Sequence, residues 1–122
     1  MKPKLPDRRR VIRIEVPLKI TVKGGEWIEE VVTKNISPIG LRFETSHKLD
    51  ADEVLEMQVS LPVSSDPIRI KGRVIWQSKM SLADNAPYDV GVELVDIEES
   101  RKNVLLKYLC DLLYGSAYYK SE

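Results

Sequence analysis

The sequence is poor in residues that form cross-links or metal sites, and its charges balance. Its 122 residues include one cysteine and one histidine. One cysteine cannot form an internal disulfide, and one histidine leaves no cluster of soft ligands for a structural zinc. Lysine plus arginine and aspartate plus glutamate both total 19. No overall field therefore favours duplex nucleic acid or an anionic membrane, and any affinity for anions must be local.

Long apolar runs and common catalytic motifs are also missing from the sequence. No apolar run approaches the roughly 18 residues that suggest a membrane span, and the N-terminus lacks the apolar centre of a signal peptide. We therefore expect a soluble, cytoplasmic protein without membrane insertion. The phosphate-binding loop, the zinc-protease motif and the serine-hydrolase elbow are all absent. An enzymatic activity, a metal and a cofactor are not expected.

Alternating apolar and polar residues predict a series of short strands. The first alternation runs through four apolar residues, Val16, Leu18, Ile20 and Val22, and the Gly24-Gly25 pair that follows is typical of a hairpin turn. Further strands are predicted in the segments WIEEVVTKNIS, GLRFET, VLEMQVSLPV, IRIKGRVIWQSKM and YDVGVELVDI. Short strands at this spacing favour an all-β fold, a small antiparallel barrel.

The apolar spacing changes near the C-terminus, where it predicts a helix. Three leucines lie at helical intervals, Leu105, Leu109 and Leu112. Asp96 and Glu99 are spaced as a capping box for a helix that begins near Ile97, and Gly115 is expected to end it. The predicted organisation is a flexible arm at residues 1–7, one domain at residues 8–115 and a tail at residues 116–122.

Four arginines lie between Asp7 and Arg13. On an extended strand, Arg9 and Arg13 point to the same side. Guanidinium groups pair with phosphate and with the O6/N7 edge of guanine in the same fork geometry, so one cluster can bind both groups. Taken alone, the run also fits a solvated basic tail.

The segment NISPIG, residues 35–40, follows the second predicted strand. Asn35 and Ser37 are two residues apart and can offer acceptors to a base edge that donates N–H groups. Gly40 permits either a positive φ or a close approach of backbone. The same residue types are common in turns, and for this segment taken alone a simple strand connection is the better explanation.

Together the two segments are more specific than either one. An R-x-x-x-R pattern at residues 9–13, followed by [D/N]-x-S-x-x-G at residues 35–40, resembles the PilZ domain, the bacterial receptor module for cyclic di-GMP. The resemblance extends from Asp7 to the C-terminal helix. It implies a six-stranded antiparallel barrel followed by a helix, which agrees with the strand count from periodicity.

The resemblance also implies roles for individual residues. Arg9 and Arg13 would grip phosphate and guanine, and Asn35 and Ser37 would hold a guanine edge. Gly40 would let the ligand settle against its strand. Asparagine at position 35, where the family often has aspartate, lacks the charge that strengthens such a hydrogen bond.

The resemblance also implies a role for Arg8, just before the first motif. An arginine at this position in the family is associated with binding of a stacked, intercalated dimer of cyclic di-GMP. The expected function is a non-enzymatic receptor or adaptor that changes conformation on binding and signals in trans to an unidentified protein. Two alternatives are a ligand-blind PilZ-like interaction module and a single-stranded nucleic-acid binder that uses the basic arm.

Three further side chains could carry chemistry. Trp76 follows the apolar alternation of its strand, which favours core packing over base stacking. Cys110 lies among helix leucines and is predicted to be a small core residue rather than a nucleophile. Trp27 lies next to the Gly-Gly turn, and its role stays open.

Overall fold

The computed structural model describes residues 13–120, with side chains as far as residue 114. Its strands are β1 (Lys19–Lys23), β2 (Ile28–Ser37), β3 (Gly40–Thr45), β4 (Val54–Ser60), β5 (Ile68–Lys79) and β6 (Tyr88–Ile97), and a 3-10 turn at Glu99–Arg101 leads into helix α1 (Lys102–Lys120). The strands form a closed barrel in the order β1-β2-β3-β6-β5-β4, and neighbouring strands are antiparallel. The predicted six-stranded barrel with a C-terminal helix is confirmed.

The barrel interior is filled by the apolar side of each alternating strand. The largest fully buried side chains include Ile20, Ile36, Leu41, Phe43, Leu55 and Met57. Helix α1 adds Leu105, Tyr108 and Leu109 to the same cluster. Burial of each large apolar side chain contributes about 1.5–3 kcal/mol relative to exposure, so this cluster is the main source of stability.

The predicted start of the helix is wrong. Asp96 pairs with Lys71 and Ile97 with Ile70, so these residues still belong to β6. The backbone N–H of Glu98 then donates to the carbonyl of Arg69 at 2.9 Å, which keeps the chain extended beyond the expected capping box. The pairing of β6 with β5 therefore competes successfully with the local capping signal.

The predicted end of the helix is also wrong. Helix α1 continues through Gly115 to Lys120. One glycine costs a helix about 1 kcal/mol relative to alanine, which is too little to end it by itself. No helix in residues 13–120 is both long and apolar enough to cross a membrane.

A β-bulge at Ile75 changes which way the end of β5 faces. Val74 pairs with Val92 of β6, whereas Trp76 pairs with Gly91, the next residue along β6, so Ile75 has no partner. The extra residue reverses the inward and outward alternation beyond it. Trp76 consequently lies on the outside of the barrel with 43% of its surface exposed. The prediction that it packs in the core is wrong.

The prediction for Cys110 is wrong as well, because its side chain is exposed. The buried stripe of α1 contains Leu105 and Leu109. Cys110 lies one residue beyond Leu109, which is about 100° further around a helix of 3.6 residues per turn. It therefore points away from the barrel.

Candidate functional site

A row of four paired residues crosses the outside of the barrel. Asn35 on β2 pairs with Arg42 on β3, Arg42 pairs with Gly91 on β6, and Gly91 pairs with Trp76 on β5. We call this set the cross-strand row. Directly opposed residues lie on the same face of a sheet, so their side chains can act on one ligand.

The cross-strand row forms the floor of a surface cavity of about 480 Å³, here called the motif cavity. Its lining includes the row together with Arg13, Gly40 and Glu93. The volume falls within the range of about 300–1,000 Å³ that is common for small-molecule sites. The structure therefore brings three of the predicted site residues, Arg13, Asn35 and Gly40, to one cavity.

Arg13 is positioned by a short backbone bridge. The N–H and carbonyl of Ile14 bond to Ile36 of β2 at 2.8 and 3.0 Å, and this bridge places Arg13 beside the end of β2. One guanidinium nitrogen of Arg13, Nη1, donates to Oδ1 of Asn35 at 3.2 Å. In the described part of the chain, no carboxylate lies within ion-pair distance of Arg13. Its charge is thus available to an anionic ligand.

Ser37 lies beneath the cavity rather than in it. The residue is fully buried, with 0% of its surface exposed. Its hydroxyl accepts the backbone N–H groups of Ile39 and Gly40 at 3.3 and 3.2 Å and donates to the carbonyl of Gly40 at 3.3 Å. The side chain closes the turn between β2 and β3, which is a common use of serine in turns.

Gly40 is required by the close approach of β6. A Cβ at this position would lie 2.7 Å from the carbonyl oxygen of Val92, and 3.9 Å from Nη2 of Arg13. Its φ is not positive. Of the two reasons for a glycine that the sequence left open, backbone proximity is the one that applies.

Arg8 and Arg9 lie outside the described residues. Their assignment to phosphate, guanine and a stacked ligand dimer stays a prediction. Since Arg13 begins the described chain next to the motif cavity, Arg9 is four residues from the cavity along the chain.

An ion pair that the sequence did not indicate holds Arg42 in place. Its Nε donates to both carboxylate oxygens of Asp89 on β6, at 3.0 and 3.1 Å, and its Nη2 lies 2.5 Å from Oδ2. Lys34 lies 3.6 Å from the same carboxylate. The two partners are 47 residues apart in sequence, so no local pattern could have paired them.

This ion pair shifts the pKa values of both Arg42 and Asp89. The hydrogen bond from Arg42 lowers the pKa of Asp89 below its ordinary value of 3.8, against the opposing effect of desolvation. The same bond raises the pKa of Arg42. The Asp89 side chain is 10% exposed and that of Arg42 is 39% exposed, so the carboxylate is better shielded from water than the guanidinium.

Replacing Asp89 with asparagine is expected to flatten the acid dependence of stability. The folded-state pKa of Asp89 is lowered, so its contribution is fully present above 3.8 and is lost as the pH falls through the lower folded value. At pH 7 the variant should lose about 1.5 kcal/mol, the low end for a hydrogen bond to a charged group, because Arg42 is partly exposed. Urea denaturation between neutral and acidic pH measures both effects.

Asp84→Asn, at an exposed loop position, is the matched control and should change stability by less than about 0.5 kcal/mol. Equal acid sensitivity of wild type and Asp89→Asn would contradict the assigned ion pair.

The motif cavity has a cationic character. Among the described residues, its one lining carboxylate, Glu93, is paired with Arg73 at 2.9 Å. Arg42 is neutralised by Asp89, whereas Arg13 bonds to a neutral amide. A ligand that enters the cavity therefore meets an available guanidinium.

A larger groove of about 620 Å³ lies elsewhere, mainly on β1, β4 and β5, with residues from the start of β2 and the end of β6. Across its floor, Lys23, Glu56, Lys71 and Asp96 follow one another in paired positions. Alternating charges of this kind give no field of one sign for an anion. We place the candidate site in the smaller motif cavity because both sequence motifs converge there.

Among residues 13–120, no group of three or more His, Cys, Asp or Glu side chains is arranged to hold a metal ion.

Solved structures with the same fold come from several bacteria. The Bacillus subtilis inhibitor of motility, MotI/DgrA, has a TM-score of 0.72 and 18% identity over 88% of this chain and 52% of its own. The K. pneumonia MrkH–c-di-GMP complex has a TM-score of 0.69 and 16% identity over 98% and 56%. The protein thus spans about half the length of these two chains.

A third structure corresponds in size. The PilZ domain of YcgR from Escherichia coli, solved with c-di-GMP, has a TM-score of 0.65 and 13% identity, over 94% of this chain and 98% of its own. At these identities the likeness shows the fold alone. No curated protein matches the sequence. The family model of the PilZ domain, however, matches residues 7–110, and the chain therefore belongs to the PilZ domain family.

Proposed function

We propose that the protein is a receptor for cyclic di-GMP and that it binds this nucleotide in the motif cavity. The observation that carries the proposal is the meeting of Arg13, from the first motif, with Asn35 and Gly40, from the second, at one cationic cavity. The solved complexes of MrkH and of the YcgR PilZ domain with c-di-GMP support the choice of ligand.

Each residue has a distinct part in this proposal. Arg13 binds a phosphate or the O6/N7 edge of guanine, since its guanidinium offers paired donors. Asn35 offers an amide to the edge of a base. The hydroxyl of Ser37 is occupied by the turn, so Ser37 acts by fixing the backbone of Gly40. Arg8 and Arg9 add guanidinium groups from the preceding segment.

The receptor acts without catalysis and in the cytoplasm. Ligand binding orders the arginine-rich segment against the barrel, and a partner protein reads the changed surface in trans. This coupling is supported by the sequence position of the arginine-rich segment, which directly precedes the bridge between Ile14 and Ile36. Ordering of a segment on binding is a common form of switching.

Isothermal titration calorimetry with cyclic di-GMP tests the binding. The wild type should bind, and Arg13→Ala should weaken the affinity by about 5–150-fold, because loss of a bidentate contact costs about 1–3 kcal/mol. Arg69→Ala removes an exposed arginine that lines the other groove and should leave the affinity unchanged. The stoichiometry distinguishes one bound nucleotide from a stacked pair.

The same titration separates the alternatives. Absence of heat with wild type at high micromolar ligand would refute the receptor and favour a ligand-blind interaction module. Binding of a single-stranded oligonucleotide with steep salt dependence, instead of the shallow dependence of one dinucleotide, would favour the nucleic-acid binder.

A further inference from the structure

The larger groove of the barrel presents charged side chains that the proposed function does not use. Lys23, Glu56, Lys71 and Asp96 occupy directly opposed positions on β1, β4, β5 and β6. All four are exposed and line the groove of about 620 Å³. We call them the charge row. Because opposed residues lie on the same face of a sheet, the row presents a positive, a negative, a positive and a negative charge in that order.

The charges of the row are not used within the described part of the chain. None of the ion pairs among residues 13–114 includes a member of the row. Arg73 and Glu93 are opposed on the same two strands, β5 and β6, and do form an ion pair at 2.9 Å. The charges of the row are therefore available to a partner outside the barrel.

The order of the charges makes the row complementary to its own reverse. When two identical surfaces meet about a twofold axis, each one faces a reversed copy of itself. An axis parallel to the strands, between β4 and β5, brings Lys23 of one copy opposite Asp96 of the other. The same axis brings Glu56 opposite Lys71. Each of these two contacts occurs twice, so all eight charges of the two rows meet a charge of opposite sign.

Two further properties favour contact between copies. Lysine plus arginine and aspartate plus glutamate both total 19, so two copies do not repel each other through a net charge. The groove is also lined by apolar groups, among them Ile28, of which 66% is exposed. Lysine stems can cover such groups while their ammonium groups pair with carboxylates.

The size of the face indicates a weak association. Four strands with a spacing of about 4.8 Å and about five residues each cover a patch of a few hundred Å². Stable interfaces bury about 800 Å² on each partner. A contact that depends on exposed charges is also weakened by salt. We therefore expect association in the high micromolar range.

We infer that the charge row is the surface through which two copies of this protein form a weak, symmetric dimer. The groove and the motif cavity share no lining residue. Both motif cavities consequently stay open in the dimer, and the inference does not depend on the proposed function.

Sedimentation equilibrium tests the association of the wild type. The mean mass should rise from that of a monomer toward that of a dimer between about 10 μM and about 1 mM protein, the range of weak binding. In about 1 M salt, where the screening length is about 3 Å, the rise should largely disappear. A wild type that stays monomeric throughout this range would overturn the inference.

Charge reversals test whether the row forms the contact. Glu56→Lys and Lys71→Glu each place like charges opposite one another at two points of the dimer and should weaken association by more than about tenfold. An equimolar mixture of the two variants should associate again, because every opposed pair then has opposite signs. Asp84→Lys makes the same change of charge as Glu56→Lys at an exposed loop position outside the groove and should associate as wild type does.

Two measurements on the same variants complete the test. Urea denaturation verifies that each variant is folded, and calorimetry with cyclic di-GMP should give the same result for Glu56→Lys as for wild type. Association of folded Glu56→Lys equal to that of wild type would refute the row as the contact, and so would failure of the mixed variants to associate. Neither result would bear on the receptor function, and absence of nucleotide binding would leave the dimer intact.

Discussion

Replacing Phe43 with alanine is expected to lower the free energy of unfolding by about 3–5 kcal/mol. Phe43 is fully buried, with 0% exposure, and lies in β3 between Thr33 of β2 and Val90 of β6. Truncation loses the transfer energy of the ring and leaves a cavity that a closed barrel cannot easily collapse. Since small domains are stable by only about 5–15 kcal/mol, urea denaturation should show a large shift of the midpoint.

Two variants define the scale for this loss. Phe43→Leu keeps most of the volume and should cost clearly less than the alanine variant. Val32→Ala, at an exposed position of β2, should stay within about 0.5 kcal/mol of wild type. A loss below about 1 kcal/mol for Phe43→Ala would show that the interior of the barrel is not packed as described.

Gly40→Ala is expected to reduce both stability and ligand binding. The new Cβ would lie 2.7 Å from the carbonyl oxygen of Val92, and a backbone atom cannot rotate away as a side chain can. Strands β3 and β6 must separate locally, which should cost about 1–3 kcal/mol. The shift occurs between Asn35 and Trp76 in the motif cavity, so affinity for cyclic di-GMP should fall by more than about tenfold.

Gly25→Ala is the matched control for this substitution. A Cβ at Gly25 would meet no atom within 4 Å, so stability and affinity should remain close to those of wild type. Denaturation and calorimetry on both variants measure the difference. Equal behaviour of the two alanine variants would contradict the close contact at Gly40.

The barrel could be predicted from the sequence because its strands obey a simple rule. Inward-facing residues such as Ile20, Leu41 and Leu55 alternate with polar ones, and this two-residue period is the direct result of strand geometry. The proximity of Arg13 and Asn35 at one cavity could likewise be predicted from the sequence, because both residues belong to recognisable motifs.

Other features depend on pairing between distant strands, which periodicity does not describe. Trp76 was assigned to the core because nothing in the local sequence marks Ile75 as an extra residue. The start of the helix was misplaced because Asp96 pairs with Lys71. The bond between Arg42 and Asp89 joins strands far apart in sequence. To predict any of these three features, one must know the register of β6 against its neighbours. Gly91 is the one local sign of it, since a glycine within a strand often marks a bulge or close packing.

The bulge at Ile75 also divides β5 into two halves with opposite phase. Before it, Ile70 and Val74 point inward; after it, Gln77 faces the barrel end and bonds the backbone of Leu49 at 2.8 and 2.6 Å. Deleting one residue there would invert the second half and direct an indole into an interior already filled. The first half of β5 thus fills the barrel interior, whereas Trp76 in its second half lines the motif cavity, and the direction of that side chain depends on the number of residues between the two halves.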